Sequence, residues 1–304
     1  MTNLEFKQVT AYELKKLLPY YGKRANKTCD SVIADSLIWM DCYRIAFAVT
    51  DKAILWLMQD DGTFVSAMPV CSEQDLKESF QLTKQYFNEV LHCPLVMQLA
   101  DEEAVKALQL EENPEFEVSE QVELKDYLYD GEALRNLTGK KLRKKKNHLN
   151  YFEREYAGRY EYKTLTIADE DEIVAFLDMW AENKGEEKEI HLEYELLGIR
   201  TLIKHSQEID VKMAGVYVDG QLEAFTIGSF NAREDMAVIH VEKANVTIRG
   251  LYQFINREFL RREFAGVSLV NREDDLGQEG MRKAKLSYDP LGYARKYFVK
   301  QKMK

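Results

Sequence analysis

Proline and glycine are scarce in this chain, at five and fifteen of 304 residues. That excludes collagen-like and low-complexity structure and leaves few enforced breaks in helices or strands. No stretch approaches the ~18–20 consecutive apolar residues that a membrane-crossing helix needs. The opening Met1-Thr2-Asn3-Leu4-Glu5-Phe6-Lys7 lacks the basic region and apolar segment of a secretory leader, so a cytoplasmic location is expected. Cysteine is confined to Cys29, Cys42, Cys71 and Cys93, in no CxxC or zinc spacing, and reduced thiols are expected. His92, His148, His191 and His205 form no i,i+4 pair, and no metal is expected. There is no GxSxG or Cys–His arrangement that would mark a covalent nucleophile. A formal net charge of −10 argues against broad coating of nucleic acid, while leaving room for one local basic patch.

What is present is a globular composition, 45% apolar and 31% charged, in a length that suits two domains. In the first half, Arg44–Thr50 reads as a strand. Ala53–Met58 and Thr63–Val70 flank the hairpin signal Asp60-Asp61-Gly62. Leu76, Phe80, Thr83, Phe87, Val90 and Leu91 share one helical face, Pro94–Leu99 reads as a strand, and Asp101 opens a short helix. The second half repeats the order. A helix carries Ile173, Phe176, Leu177 and Trp180. Strands Met213–Val218 and Leu222–Phe230 flank Asp219-Gly220, and Asp235–Glu242 is a third strand. A helix over Leu251–Phe264 and strands over Val267–Val270 and Ala294–Val299 follow. Recurrence of element order suggests internal duplication, against the alternative of one large α/β domain. Tyr127–Tyr160, with leucines at near-helical spacing and a break at Gly139, reads as the crossover. The expected division is 1–155, including a basic crossover helix, and 156–304, carrying the active site.

Three constellations carry candidate chemistry. In Ala237–Leu251 a strand ends in a short polar loop that opens a helix. Alternation puts His240 and Glu242 on one face with Val238. Backbone amides from Asn245 to Gly250 at a helix N-terminus suit a phosphate; Gly250 permits close approach, and Arg249 adds a forked contact. An ordinary strand-to-helix turn fits the same residues, which lack the GK[ST] of a P-loop. Asn271–Pro290 follows a strand end, where α/β sheets place ligands. Read as an EF-hand from Asn271, positions six and twelve would be Leu276 and Arg282, which excludes calcium by that motif; a solvated loop is the plain alternative. In Lys140–Lys146, six of seven residues are cationic: Lys140, Lys141, Arg143, Lys144, Lys145 and Lys146. Such a run suits a tRNA backbone, a CoA phosphate or an anionic membrane surface better than an acid-paired helix face.

The segments HVEKAN…RG and NREDDLGQEGMRKAKLSYDP, with Tyr127-Leu128-Tyr129, Leu137-Thr138-Gly139-Lys140-Lys141 and Lys145-Lys146-Asn147-His148, resemble a bacterial family, that of the phosphatidylglycerol lysyltransferase C-terminal domain. The resemblance covers about residues 20–300. It implies an α/β (α+β) fold of tandem GNAT-like acyltransferase domains, each a mixed, mostly antiparallel sheet flanked by helices, related to Fem-type aminoacyltransferases. It implies transfer of an acyl or aminoacyl group to an amine or hydroxyl, from aminoacyl-tRNA or acyl-CoA, with no tightly bound cofactor. The roles expected on that basis are Glu242 as general base and Tyr288 as proton donor to the leaving group. Asp274 or Asp275 would hold an acceptor amine. Asn245, Arg249, Gly250, Asn271 and Arg272 would hold the donor, with Lys283 and Lys285 in support. A non-catalytic binding protein with the same fold is the alternative.

Overall fold

The computed structural model describes residues 4–60, 62–182 and 190–303; Asp61 of the first hairpin and the side chain of His191 lie outside the described residues. The strands are β1 (Lys7–Gln8), β2 (Ala46–Val49), β3 (Ala53–Asp60), β4 (Thr63–Val65), β5 (Val70–Cys71), β6 (Val96–Asp101), β7 (Phe116–Glu120), β8 (Asp126–Asp130), β9 (Tyr160–Leu165), β10 (Lys212–Val218), β11 (Gln221–Asn231), β12 (Met236–Ala244), β13 (Leu269–Asn271), β14 (Gly292–Ala294) and β15 (Lys296–Gln301). The helices are α1 (Leu14–Leu17), α2 (Ile33–Ile38), α3 (Leu76–Gln85), α4 (Glu102–Ala107), α5 (Gly131–Asn136), α6 (Arg143–Glu155), α7 (Glu170–Glu182), α8 (Ile190–Lys204), α9 (Leu251–Arg262) and α10 (Glu279–Leu286). The fold is the mixed α/β architecture expected, with sheets that are antiparallel except where β12 meets β13.

The local signals act as their chemistry dictates. Asp219-Gly220 joins β10 to β11, and Val218 pairs with Gln221. Asp101 caps α4, its carboxylate accepting from the Ala104 amide. The strand expected over Thr63–Val70 stops at Val65, where Ser66 turns to bridge Met97 of β6, and resumes at Val70 just after Pro69.

The central sheet runs β14-β8-β13-β12-β11-β10-β9, and the expected border at 155/156 is crossed both ways. β8, which the sequence reading assigned to the crossover, lies between β13 and β14. Its residues Asp126–Tyr129 are buried on both faces, as an interior strand requires. In the other direction, β15 lies between β6 and β7. One face of the central sheet packs on α5, α6 and α9 through Leu134, Phe152, Phe254 and Phe259. The other face packs on α7, α8 and the first half: Phe225, Ile227 and Val241 share a core with Ile173, Ile203, Leu37 and Trp56.

Candidate active site

β12 does not alternate regularly. Ile227 pairs with Val241 and the next residue, Gly228, with Ile239, so His240 is an extra residue, a β-bulge. The bulge overturns the expectation that His240 and Glu242 share a face. Glu242 points toward α9, where Asn256 donates to it at 2.8 Å. His240 points the other way, its Nε2 at 2.9 Å from Ser229 Oγ and its Nδ1 at 2.8 Å from Glu273 Oε1.

On the α9 face several expected residues meet. Arg272 donates to Glu242 at 2.8 Å, and its guanidinium lies over the Tyr288 ring at 4.7 Å. One of its nitrogens, Nη1, is buried without a hydrogen-bond partner among the described residues. Lys285 donates to the carbonyl of Arg272. Gln253 of α9 donates to the Tyr288 hydroxyl at 3.3 Å. Burial pushes the Tyr288 phenol above its ordinary range, so it stays protonated, while Arg272 opposes that shift. The basic crossover helix closes the group: the Lys145 ammonium rests 4.2 Å above the Tyr288 ring. Burial, with Arg272 and Lys144 nearby, lowers the Lys145 pKa to about 8. Asn256, Gln253 and the special position of Lys145 carried no sequence signal, because α6 and α9 meet only in the fold.

Around Lys145 the basic run divides. Lys140, Lys141, Arg143, Lys144 and Lys146 are exposed, and Lys141 pairs with Asp289 at 2.6 Å. Arg249 joins them from across the α6–α9 contact, its guanidinium 4.6 Å from the Tyr151 ring. His148 lies among these cations; burial, Arg249, Lys145 and Lys144 all lower its pKa. The result is a continuous cationic surface whose inner edge, Lys145, touches Tyr288.

The bend before α9 differs from its expected role. Gly250 has φ +91°, and a Cβ there would lie 2.2 Å from the His148 carbonyl oxygen. The glycine therefore lets α6 approach α9 and does not face a ligand. Asn245 is occupied too: it donates to Glu223 at 2.9 Å and accepts from the amide and hydroxyl of Thr247. The amides of Ile248 and Leu251 are bonded within the bend, whereas those of Tyr252 and Gln253 meet no acceptor among the described residues. Of the donor contacts expected here, only Arg249 faces outward.

The remaining expected residues lie elsewhere. Asn271 is fully buried, donating to Asp126 at 2.9 Å and to the Lys27 carbonyl at 2.8 Å, which leaves it no free donor for a ligand. Asp275 accepts from both Arg282 nitrogens at 2.9 Å and from Tyr127 at 2.5 Å, so it fastens a loop and cannot hold an acceptor. Lys283 pairs with Glu279 on the surface of α10. Asp274 turns toward the His240 side, where burial beside Asp126 raises its pKa and Lys296 opposes the rise. Lys296, fully buried, bridges Asp126 at 2.9 Å and Asp30 at 3.3 Å.

The model of the family "Phosphatidylglycerol lysyltransferase, C-terminal" matches residues 23–300. The chain belongs to that family. An uncharacterized protein of Mycoplasmoides gallisepticum is 30% identical over 176 residues, 58% of this chain and 56% of its own length, so the match spans little more than half of that relative. A crystal structure of a conserved protein of unknown function from Bacteroides thetaiotaomicron superposes with a TM-score of 0.88 at 28% identity, covering 98% of this chain and 100% of that one. The structure of L-PGS from Bacillus licheniformis gives a TM-score of 0.68 at 13% identity, covering 95% and 91% of the two chains. The latter shows the fold alone. Among the described residues no helix is long and apolar enough to cross a membrane.

Proposed function

We propose that this member of the phosphatidylglycerol lysyltransferase C-terminal family moves an acyl or aminoacyl group from a phosphate-bearing donor, aminoacyl-tRNA or acyl-CoA, to an amine or hydroxyl. We further propose that its halves, 1–155 and 156–304, are GNAT-like units and that the second carries the chemistry. The supporting observation is continuity: the exposed cations of α6 and Arg249 lead through Lys145 directly onto the Tyr288–Arg272–Glu242 group. A phosphate backbone on the cations would leave its acyl end at that group.

In this reading the acceptor attacks the donor carbonyl directly and the ester or thioester bond breaks. Glu242 takes the proton of the attacking amine or hydroxyl, and Tyr288 gives its own proton to the leaving group. Arg272 and Asn256 orient the Glu242 carboxylate. The unpaired Arg272 Nη1 and the free amides of Tyr252 and Gln253 are the donors available to a developing oxyanion. Lys285 positions the Arg272 backbone. Asp274, on the opposite face from Glu242, is given no part in this transfer step. A binding protein that keeps the fold without the chemistry is the competing reading, favoured by the engagement of both Glu242 oxygens.

Transfer from lysyl-tRNA, alanyl-tRNA and acetyl-CoA to a panel of amines, followed by mass spectrometry, tests the proposal. Glu242→Gln and Tyr288→Phe should each lower transfer by about 100-fold or more. Full activity in both variants would remove the assigned roles; donor binding with no turnover of any acceptor would favour the binding protein.

A further inference from the structure

The His240 face of the central sheet opens onto a cavity of about 110 Å³ in the first half of the chain, away from Glu242. Its walls are aromatic: Tyr20, Tyr21, Trp39, Tyr43 and Trp56 line it. Its polar lining includes Lys23, Arg24, Asn231 and three carboxylates, whose partners are unequal. Asp101 is spoken for by a forked pair with Arg24, and Asp30 shares Lys296. Asp35 is different. It is 8% exposed and lines the cavity, and no donor among the described residues hydrogen-bonds its carboxylate. Behind it, the Asp35 and Glu273 carboxylates and the Cys29 sulfur lie within 4.8 Å of one another. At the rim, the Lys23 ammonium already sits 4.5 Å above the Tyr20 ring, so this wall accepts a cation over an aromatic face.

A buried carboxylate without a partner is costly, and a pocket that keeps one is shaped for a positive ligand. We infer that this cavity is a binding site for a compact organic ammonium, a primary amine whose charged end meets Asp35 and whose alkyl body lies against Trp39 and Tyr43. The aromatic walls supply apolar contact and cation–π attraction together, which an inorganic ion would not use. The neighbours also disfavour a metal. Lys296 Nζ is 3.1 Å from Cys29 Sγ, and burial beside Asp126 pushes the Cys29 thiol well up, so no thiolate is on offer. The inference does not depend on the transfer chemistry proposed at Glu242.

The carboxylates carry a further mark. Burial, with Asp30, Glu273 and Asp126 nearby and only Lys296 opposing them, raises the Asp35 pKa well above the carboxylate range. Burial likewise raises Glu273, beside Asp126 and Asp274, with Lys285 and Lys296 opposing. An arriving ammonium favours the ionised carboxylate, so binding releases a proton and tightens as pH rises.

Calorimetry on the full chain decides it, with 1,5-diaminopentane, n-pentylamine, 1-pentanol and pentanoate as probes. Each is run in two buffers of different ionisation enthalpy. The amines should bind saturably with proton release, while the alcohol and the carboxylate should not. Asp35→Asn should weaken amine binding about tenfold or more. Should that variant fail to fold, the wild-type probe series and its proton release still decide. Three results would overturn the inference: no saturable amine binding by the wild-type chain, equal binding of 1-pentanol, or unchanged affinity in folded Asp35→Asn. Stoichiometric zinc or magnesium that the amines compete with would also overturn it, in favour of a metal site.

Discussion

Replacing Gly250 with alanine distinguishes a glycine kept for a ligand from one kept for helix packing. Two costs apply. At φ +91° an L-residue carries left-handed backbone strain of about 1–2 kcal/mol. The added Cβ would also stand 2.2 Å from the His148 carbonyl oxygen and 2.9 Å from Phe152 Cβ, on the backbone and core side of α6. Pushing α6 off α9 is overpacking, worth about 1–3 kcal/mol. The sum is about 2–5 kcal/mol of lost stability, read as a shift in the urea midpoint. Gly139 is the control: its φ is +96°, but nothing lies within 4 Å of its Cβ position, so Gly139→Ala carries the strain alone. Gly250→Ala should therefore be the less stable variant by about 1–3 kcal/mol. Equal stability of the two variants, combined with a donor-binding defect confined to Gly250→Ala, would refute the packing argument and restore a glycine that faces the donor.

Lys145, with its pKa near 8, should be the lysine most reactive to amine-selective reagents at pH 7.5. About a quarter of it is neutral there against ~0.1% of an ordinary lysine, and peptide mapping of a labelling time course reads the difference. His240, whose pKa burial lowers to about 3, should show neutral-ring nitrogen shifts throughout pH 5–8. Because its folded pKa lies below the unfolded value, its contribution to stability is complete above about pH 6.5 and is lost as pH falls toward 3; His240→Gln should flatten that part of the acid-unfolding profile. Lys296→Met should cost about 3–5 kcal/mol by leaving Asp126 without its ion pair in the core, and Asp126→Asn in the same chain should recover part of it in urea melts. Reversing Lys144 and Lys146 to glutamate should weaken tRNA binding and make its salt dependence shallower, measured by filter retention across a salt series.

Much of the fold was legible because its signals are local. The hairpin at Asp219-Gly220, the Asp101 cap and the apolar faces of α3, α7 and α9 rest on chemistry within a few residues of themselves. β8 was not legible: Asp126-Tyr-Leu-Tyr-Asp130 looks like the start of the crossover, and only its place between two strands from the far end of the chain explains its burial. At the site, Glu242, Arg272, Tyr288 and Lys145 do converge, because a strand end and the loop after β13 sit side by side. Period-two counting failed at His240, since a bulge is fixed by cross-strand register that one sequence does not display. The pairing of Asp35 with Glu273, over two hundred residues apart, left no pattern to read.

The insertion of β15 between β6 and β7 has a consequence for how the chain is made. Those two strands emerge from the ribosome well before β15, and each waits for its neighbour until that distant strand has been added. Throughout synthesis they offer open edges to one another and to other chains. The newborn first half is thus the stage most exposed to misassembly, and protecting its open edges until β15 arrives falls to chaperones or to speed.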